Sequence, residues 1–174
     1  LVGFAFVDLT TGDFQLTEFA ASEPWIDEIQ RAGLSELIAP AEWMERLSGR
    51  PVPVAMTVHD GWSFEPGYAA DHLKTHFKLQ SLDGLGLSDC TQGLGAAGAL
   101  LHYLEHTLRR NISHIHQLRS YRTHDFLVLD ATTRRNLELV ETMSAHAAKN
   151  TTLLAALDRT VTPMGARLLR EWIA

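Results

Sequence analysis

The chain has 174 residues, 45% apolar and 21% charged, and such a length and balance suit one full domain plus part of a second and exclude intrinsic disorder. Its net charge of −6 hides an asymmetry: residues 1–65 carry 11 acids against 3 Lys and Arg, which makes the first half a poor polyanion binder, and residues 66–174 carry 10 against 12. The basic excess gathers at Arg109, Arg110, Arg119, Arg122, Arg134 and Arg135, a modest stretch that suits either a solvated face or a contact near nucleic acid.

Val2 to Leu9 and Phe14 to Phe19 are β-rich runs separated by Thr10-Thr11-Gly12-Asp13, which predicts an antiparallel hairpin. Ser22, Glu23 and Pro24 then signal a helix start, with Trp25, Ile26 and Ile29 on its buried side. Leu37-Ile38 and Val52 to Val58 read as short strands around a helix at Ala41 to Leu47, and a further helix follows at Tyr68 to Phe77. This is an α/β alternation. The longest periodic element runs from Asp89 to about Arg109, with Leu94, Ala97, Leu101, Leu104 and Leu108 spaced by threes and fours. Ile112 to Tyr121 reads as irregular or extended, and Phe126 to Leu129 as a short strand. Beyond it, residues 134–143, 152–157 and 163–173 read as helices with no strand between them, which places a domain boundary near Asp125. Thr162-Pro163 is a cap-and-proline helix start, and Met164, Leu168 and Trp172 form one stripe behind it.

The apolar run Ala96 to Leu101 is far shorter than the roughly 20 residues of a membrane span, and no leader pattern precedes it. One cysteine, Cys90, cannot form an internal disulfide. Both features point to a cytoplasmic protein without a membrane partner. The chain opens at Leu1 directly in a strand-like run, as an internal piece of a longer protein would.

Four patterns invite a chemical reading. Gly93-Leu-Gly95-Ala-Ala-Gly98 satisfies the GxGxxG dinucleotide pattern, but a cap-like stretch, Ser88 to Gln92, precedes it where a strand is required, so close helix packing is the better reading. His102-Tyr-Leu-Glu105-His106 has the H-x-x-E-H form of one zinc peptidase class. A third ligand does not present itself, and His72 and His76 repeat the same spacing, so a solvated histidine stripe is expected. Asp8, at the end of the first strand, could be the first carboxylate of a two-metal nuclease, with Glu105 and Asp130 as its partners, or a turn residue that satisfies the backbone of Thr10, Thr11 and Gly12. Asp8-Leu-Thr-Thr-Gly12 also resembles the first phosphate loop of actin-like ATPases. Cys90, at a helix start, could have a lowered thiol pKa, yet no His or Asn partner marks it as a nucleophile.

Asp130-Ala-Thr-Thr-Arg-Arg-Asn-Leu-Glu-Leu139 and the stretch from Leu153 through Asp158-Arg-Thr-Val-Thr162-Pro-Met-Gly to Ile173 closely resemble the start of the core domain of the MutS family of DNA mismatch-repair proteins. Leu82-Asp-Gly-Leu-Gly-Leu-Ser88 and Ala96 to Leu104 resemble the end of that family's connector domain, and Val2 to Phe19 its opening hairpin. The resemblance implies an α/β fold: a ribonuclease-H-like connector over residues 1–124 that has lost its catalytic acids, then a truncated all-α core segment over 125–174. It further implies a full-length parent that is a homodimer, reads mismatched DNA, uses ATP and Mg²⁺, and meets a MutL-type partner through the connector. The family's Phe-x-Glu wedge and its Gly-x-x-x-x-Gly-Lys-Ser/Thr loop are not found between Leu1 and Ala174. The expectation is therefore a lever and protein-binding surface, not an enzyme, with no catalytic, cofactor-binding or metal residue of its own. The runner-up is the metal-dependent nuclease of Asp8, Glu105 and Asp130.

Overall fold

The computed structural model describes residues 1–20, 25–47, 52, 54–87, 89–122, 129, 131–143 and 151–173. It divides into two units, Leu1–Leu127 and Val128–Ala174.

In the first unit, β1 (Val2–Asp8) and β2 (Asp13–Phe19) form the expected antiparallel hairpin, with Phe4 opposite Thr17 and Val7 opposite Phe14. Successive side chains of a strand point to opposite faces, so this register sorts the apolar residues into two sets. Phe4 and Phe19 pack on one side with Ile29, Trp25 and Leu37. Phe14 and Leu16 pack on the other with Leu73, Leu94, Ala97, Leu101 and Leu104. The hairpin is thus buried on both faces. A third strand, β5 (Leu118–Ser120), pairs parallel with β2 from Phe14↔Leu118 to Leu16↔Ser120. It falls inside the segment read as irregular or extended from sequence.

Helix α1 (Trp25–Arg31) buries Ile29 as expected; its proposed start at Ser22 to Pro24 lies outside the described residues. Strands β3 (Glu36–Ala39) and β4 (Ala55–Val58) pair in parallel across helix α2 (Ala41–Leu47). A 3₁₀ turn at Gly61–Phe64 leads into α3 (Pro66–Phe77), two residues earlier than the periodicity suggested because Pro66 supplies a ready first helical position. Lys78 ends it in the left-handed region at φ 55. The long helix runs as α4 (Thr91–His102) and continues as a π turn over Tyr103–Thr107, with Leu108 N–H reaching the Tyr103 carbonyl at 3.0 Å. The expected stripe holds from Leu94 to Leu104, but the wider turn carries Leu108 out of register and leaves it 39% exposed.

Helix α4 crosses the hairpin at contact distance. A Cβ on Gly3 would overlap the Gln92 carbonyl, and one on Gly98 would overlap Ala69 of α3. Glycine is required at both places by proximity and not by φ.

In the second unit, α5 (Ala131–Asn136), α6 (Leu153–Leu157) and α7 (Pro163–Ile173) are all helical, as expected. The helix read over 134–143 stops early: Glu138 adopts φ 47 and turns the chain. The carbonyls of Glu138 and Leu139 then accept the N–H groups of Leu153 and Leu154 at 3.3 and 2.9 Å, so these free acceptors tie down the start of α6. Thr152 Oγ1 caps α6 at Ala155 N–H, and Thr162 Oγ1 caps α7 at Gly165 N–H, both at 3.1 Å. The strand read at Phe126 to Leu129 lies outside the described residues except for Leu129, which is in no regular element.

Candidate functional site

Among the described residues, five histidines and a glutamate gather where the end of β4, the 3₁₀ turn, α3 and the long helix meet. His72 and His76 are four apart on α3 and share its face, as do His102 and His106 across the α-to-π junction. The rings of His102 and His106 have centroids 4.5 Å apart. Glu105, on the π turn, reaches across to α3, with Oε2 3.1 Å from His72 Nε2 and Oε1 3.4 Å from His76 Nδ1. The first of these is an ion-pair distance without hydrogen-bond alignment, and His72 Nε2 is buried with no hydrogen-bond partner. His59, which sequence reasoning did not single out, completes the group with Nε2 3.2 Å from His102 Nδ1. Trp62 and Tyr68 stand edge to face at 4.8 Å, and each also packs against His102. Burial, as the main cause, holds His59, His72 and His102 below the ordinary histidine value. The paired i, i+4 histidines were legible in the sequence; what joined the two pairs was the packing of α3 on α4.

The other sequence-flagged residues have structural uses. Asp8 Oδ1 accepts from Thr10 N–H at 2.7 Å and Thr10 Oγ1 at 2.6 Å, which is the turn role. Its proposed nuclease partner Glu105 is engaged by the α3 histidines, and Asp130 lies outside the described residues. Among the described residues no group of three or more His, Cys, Asp or Glu is arranged to hold a metal. Gly93 packs on Leu16 and Thr17, Gly95 on the Phe64 carbonyl and Gly98 on Ala69, so the GxGxxG run is a close-packing surface.

The start of α4 is capped from a distance. Cys90, at the cap position, makes no side-chain bond there; instead Glu18 of β2 accepts from Gln92 N–H at 2.5 Å and Gly93 N–H at 2.9 Å. A carboxylate there also complements the helix dipole. The same carboxylate corrects the reading of Cys90: burial first, then Glu18 and Asp89, push its thiol up, away from the thiolate form. A second tie missed from sequence is the Tyr121 hydroxyl, which donates to Glu28 at 2.6 Å while Arg31 donates to the same carboxylate. Burial and that carboxylate push the Tyr121 phenol far up.

Residues 1–116 match MutS domain II, and residues 132–174 match MutS domain III. The chain belongs to the MutS family. It is 38% identical over 99% of its length to a DNA mismatch repair protein MutS of Protochlamydia amoebophila and 39% identical over 98% to that of Lachnoclostridium phytofermentans. With the MutS of Anaeromyxobacter sp. it shares 42% identity over 98% of its length. The chain spans about a fifth of those relatives, 21%, 19% and 19% respectively. In this MutS chain the domain II match contains the β1–β2 hairpin, the β3–β4 pair, the α3–α4 contact and the histidine group, with β5 just beyond its end, and the domain III match contains α5, α6 and α7 from Thr132 onward. No helix among the described residues is long and apolar enough to cross a membrane.

Proposed function

We propose that this chain is the connector and first core helices of a cytoplasmic mismatch-repair protein, and that it transmits state and offers a protein-binding surface without chemistry of its own. The connector, residues 1–124, has a ribonuclease-H-like plan, and the core begins at 125. The full-length protein is a homodimer that reads mismatched DNA and uses ATP and Mg²⁺, and a MutL-type repair protein docks on the connector. The observation that carries this reading is the succession of a domain II match and a domain III match along one chain, at near-complete coverage by relatives named for mismatch repair. Two features support it. The hairpin is packed on both faces, which ties it to both apolar clusters of the first unit, and Asp8 spends its carboxylate on its own turn.

The test is a band-shift titration with homoduplex and G·T heteroduplex, run beside an ATP hydrolysis assay. The expected outcome is no ATP turnover and weak DNA binding that falls steeply with salt and ignores the mismatch. A clear heteroduplex preference at moderate salt, or steady hydrolysis, overturns it.

A further inference from the structure

Five imidazoles converge on the contact between α3 and the long helix, with one carboxylate in direct reach. Besides the 3.2 Å contact of His59 with His102, the His72 ring centroid lies 6.1 Å from that of His102 and 6.2 Å from that of His106. The charged and titratable groups facing this seam come from every element packed on it. Asp60, beside His59, acts electrostatically on His59 and His102. Glu36 of β3 is occupied by the hydroxyls of Tyr103, at 2.7 Å, and Thr57, at 2.5 Å. Asp71 of α3 is 80% exposed and paired with Lys74. After the long helix, the Ile115 carbonyl takes His76 Nε2 at 3.1 Å. The rings of Trp62, Phe64, Tyr68, Phe77 and Tyr103 also pack on it.

The hydrogen-bond geometry limits how much charge this arrangement can hold. A single N–H lies between His59 Nε2 and His102 Nδ1; if both rings were doubly protonated, two N–H groups would point at each other. His76 donates its Nε2–H to the Ile115 carbonyl, and Glu105 sets one oxygen toward His72 and the other toward His76. The His106 ring lies tilted against that of His102.

We propose that this seam is a proton-responsive joint: uptake of protons by His59, His72 and His102 loosens the Gly61–Phe64 turn and α3 from the long helix, while the β1, β2 and β5 strands stay paired. The device would move the exposed Trp62 and Tyr68 rings, which sit on the elements released. The direction follows from linkage. Burial lowers His59, His72 and His102 from 6.5, so in the window from 6.5 down to their folded values the open form binds more protons than the closed form. Closure is therefore strongest above pH 6.5 and weakens as pH falls through that window.

Amide hydrogen exchange on the unaltered chain at pH 7.5, 6.5 and 5.5, expressed as protection relative to the intrinsic rate, tests this. The expected result is a loss of protection of roughly tenfold or more over 61–77 relative to β2, equivalent to about one pKa unit summed over the rings. The His72→Gln, His102→Gln double variant should flatten that loss. Protection over 61–77 that tracks β2 at every pH, or a loss unchanged in the double variant, overturns the proposal. Should the variant not fold, imidazole NMR titration of the unaltered chain decides: midpoints for His59, His72 and His102 below 6.5 uphold it, and midpoints at or above 6.5 overturn it.

Discussion

The two units solve the burial of apolar side chains differently. In the first, Leu16, Leu73 and Leu101 have 0% exposure, held between a sheet and two helices. In the second, Leu168, Met164 and Trp172 on α7 keep 44%, 76% and 75% of their surface, and Leu137, Met143 and Leu157 are also exposed. The sequences of both are amphipathic. Amphipathicity states that a face must be covered; only enough chain in the right place covers it. A first unit with α4 pinned by Glu18, Gly3 and Gly98 has that chain, and three short helices do not.

The widest separation between the units is expected in hydrogen exchange. In dilute protein, α4 amides should exchange near the limit set by global unfolding, and α5 to α7 amides roughly a hundredfold faster or more. Equal protection in a dilute monomer would end the contrast, and the reading of the second unit as a partial core with it. Protection that rises with protein concentration would show instead that the α7 stripe pairs with another copy.

Truncation sharpens the same comparison at single residues. Leu101→Ala should lower the stability of the first unit by about 2–5 kcal/mol, because it removes transfer energy and leaves a cavity in a packed cluster. Leu168→Ala, on an exposed face, should cost under about 0.5 kcal/mol. Urea denaturation of the two variants measures both; similar losses would mean that α7 is covered in solution.

The smallest effect belongs to the second unit's turn at Asp158. Its Oδ1 accepts from the Thr160 hydroxyl at 2.7 Å and from Thr160 N–H at 2.9 Å, and these bonds lower its pKa from 3.8. The folded value lies below the unfolded one, so the turn is favoured above pH 3.8 and released as pH falls through the folded value. A carboxyl NMR titration should place the Asp158 midpoint below 3.8, and a midpoint at 3.8 would show the turn unformed.

Much of this architecture is local and was therefore legible. Thr10 to Asp13 announced the hairpin, the spacing of Leu94, Ala97, Leu101 and Leu104 the long helix, and Thr162-Pro163 the start of α7. Each depends on residues within a few positions of one another, where turn chemistry and periodicity act directly. The glycine run was legible as packing for the same reason, since no strand preceded it.

What the tertiary structure alone decided involves partners far apart in the chain. β5 is three residues long, too short for an alternating pattern, and exists because β2, about a hundred residues earlier, offers it an edge. Glu18 caps a helix 74 residues away, a role no local cap signal encodes. α5 ended at Asn136 and the chain turned at Glu138, whose carbonyl and the next accept from the start of α6. The histidine group follows the same logic. The sequence displayed two i, i+4 pairs and one intervening glutamate, but His59 joined them, and the pairs met, only when Gly98 let α3 approach α4 to within contact of Ala69. Local chemistry determined the elements of this protein; close approach between distant segments determined which of their side chains came to meet.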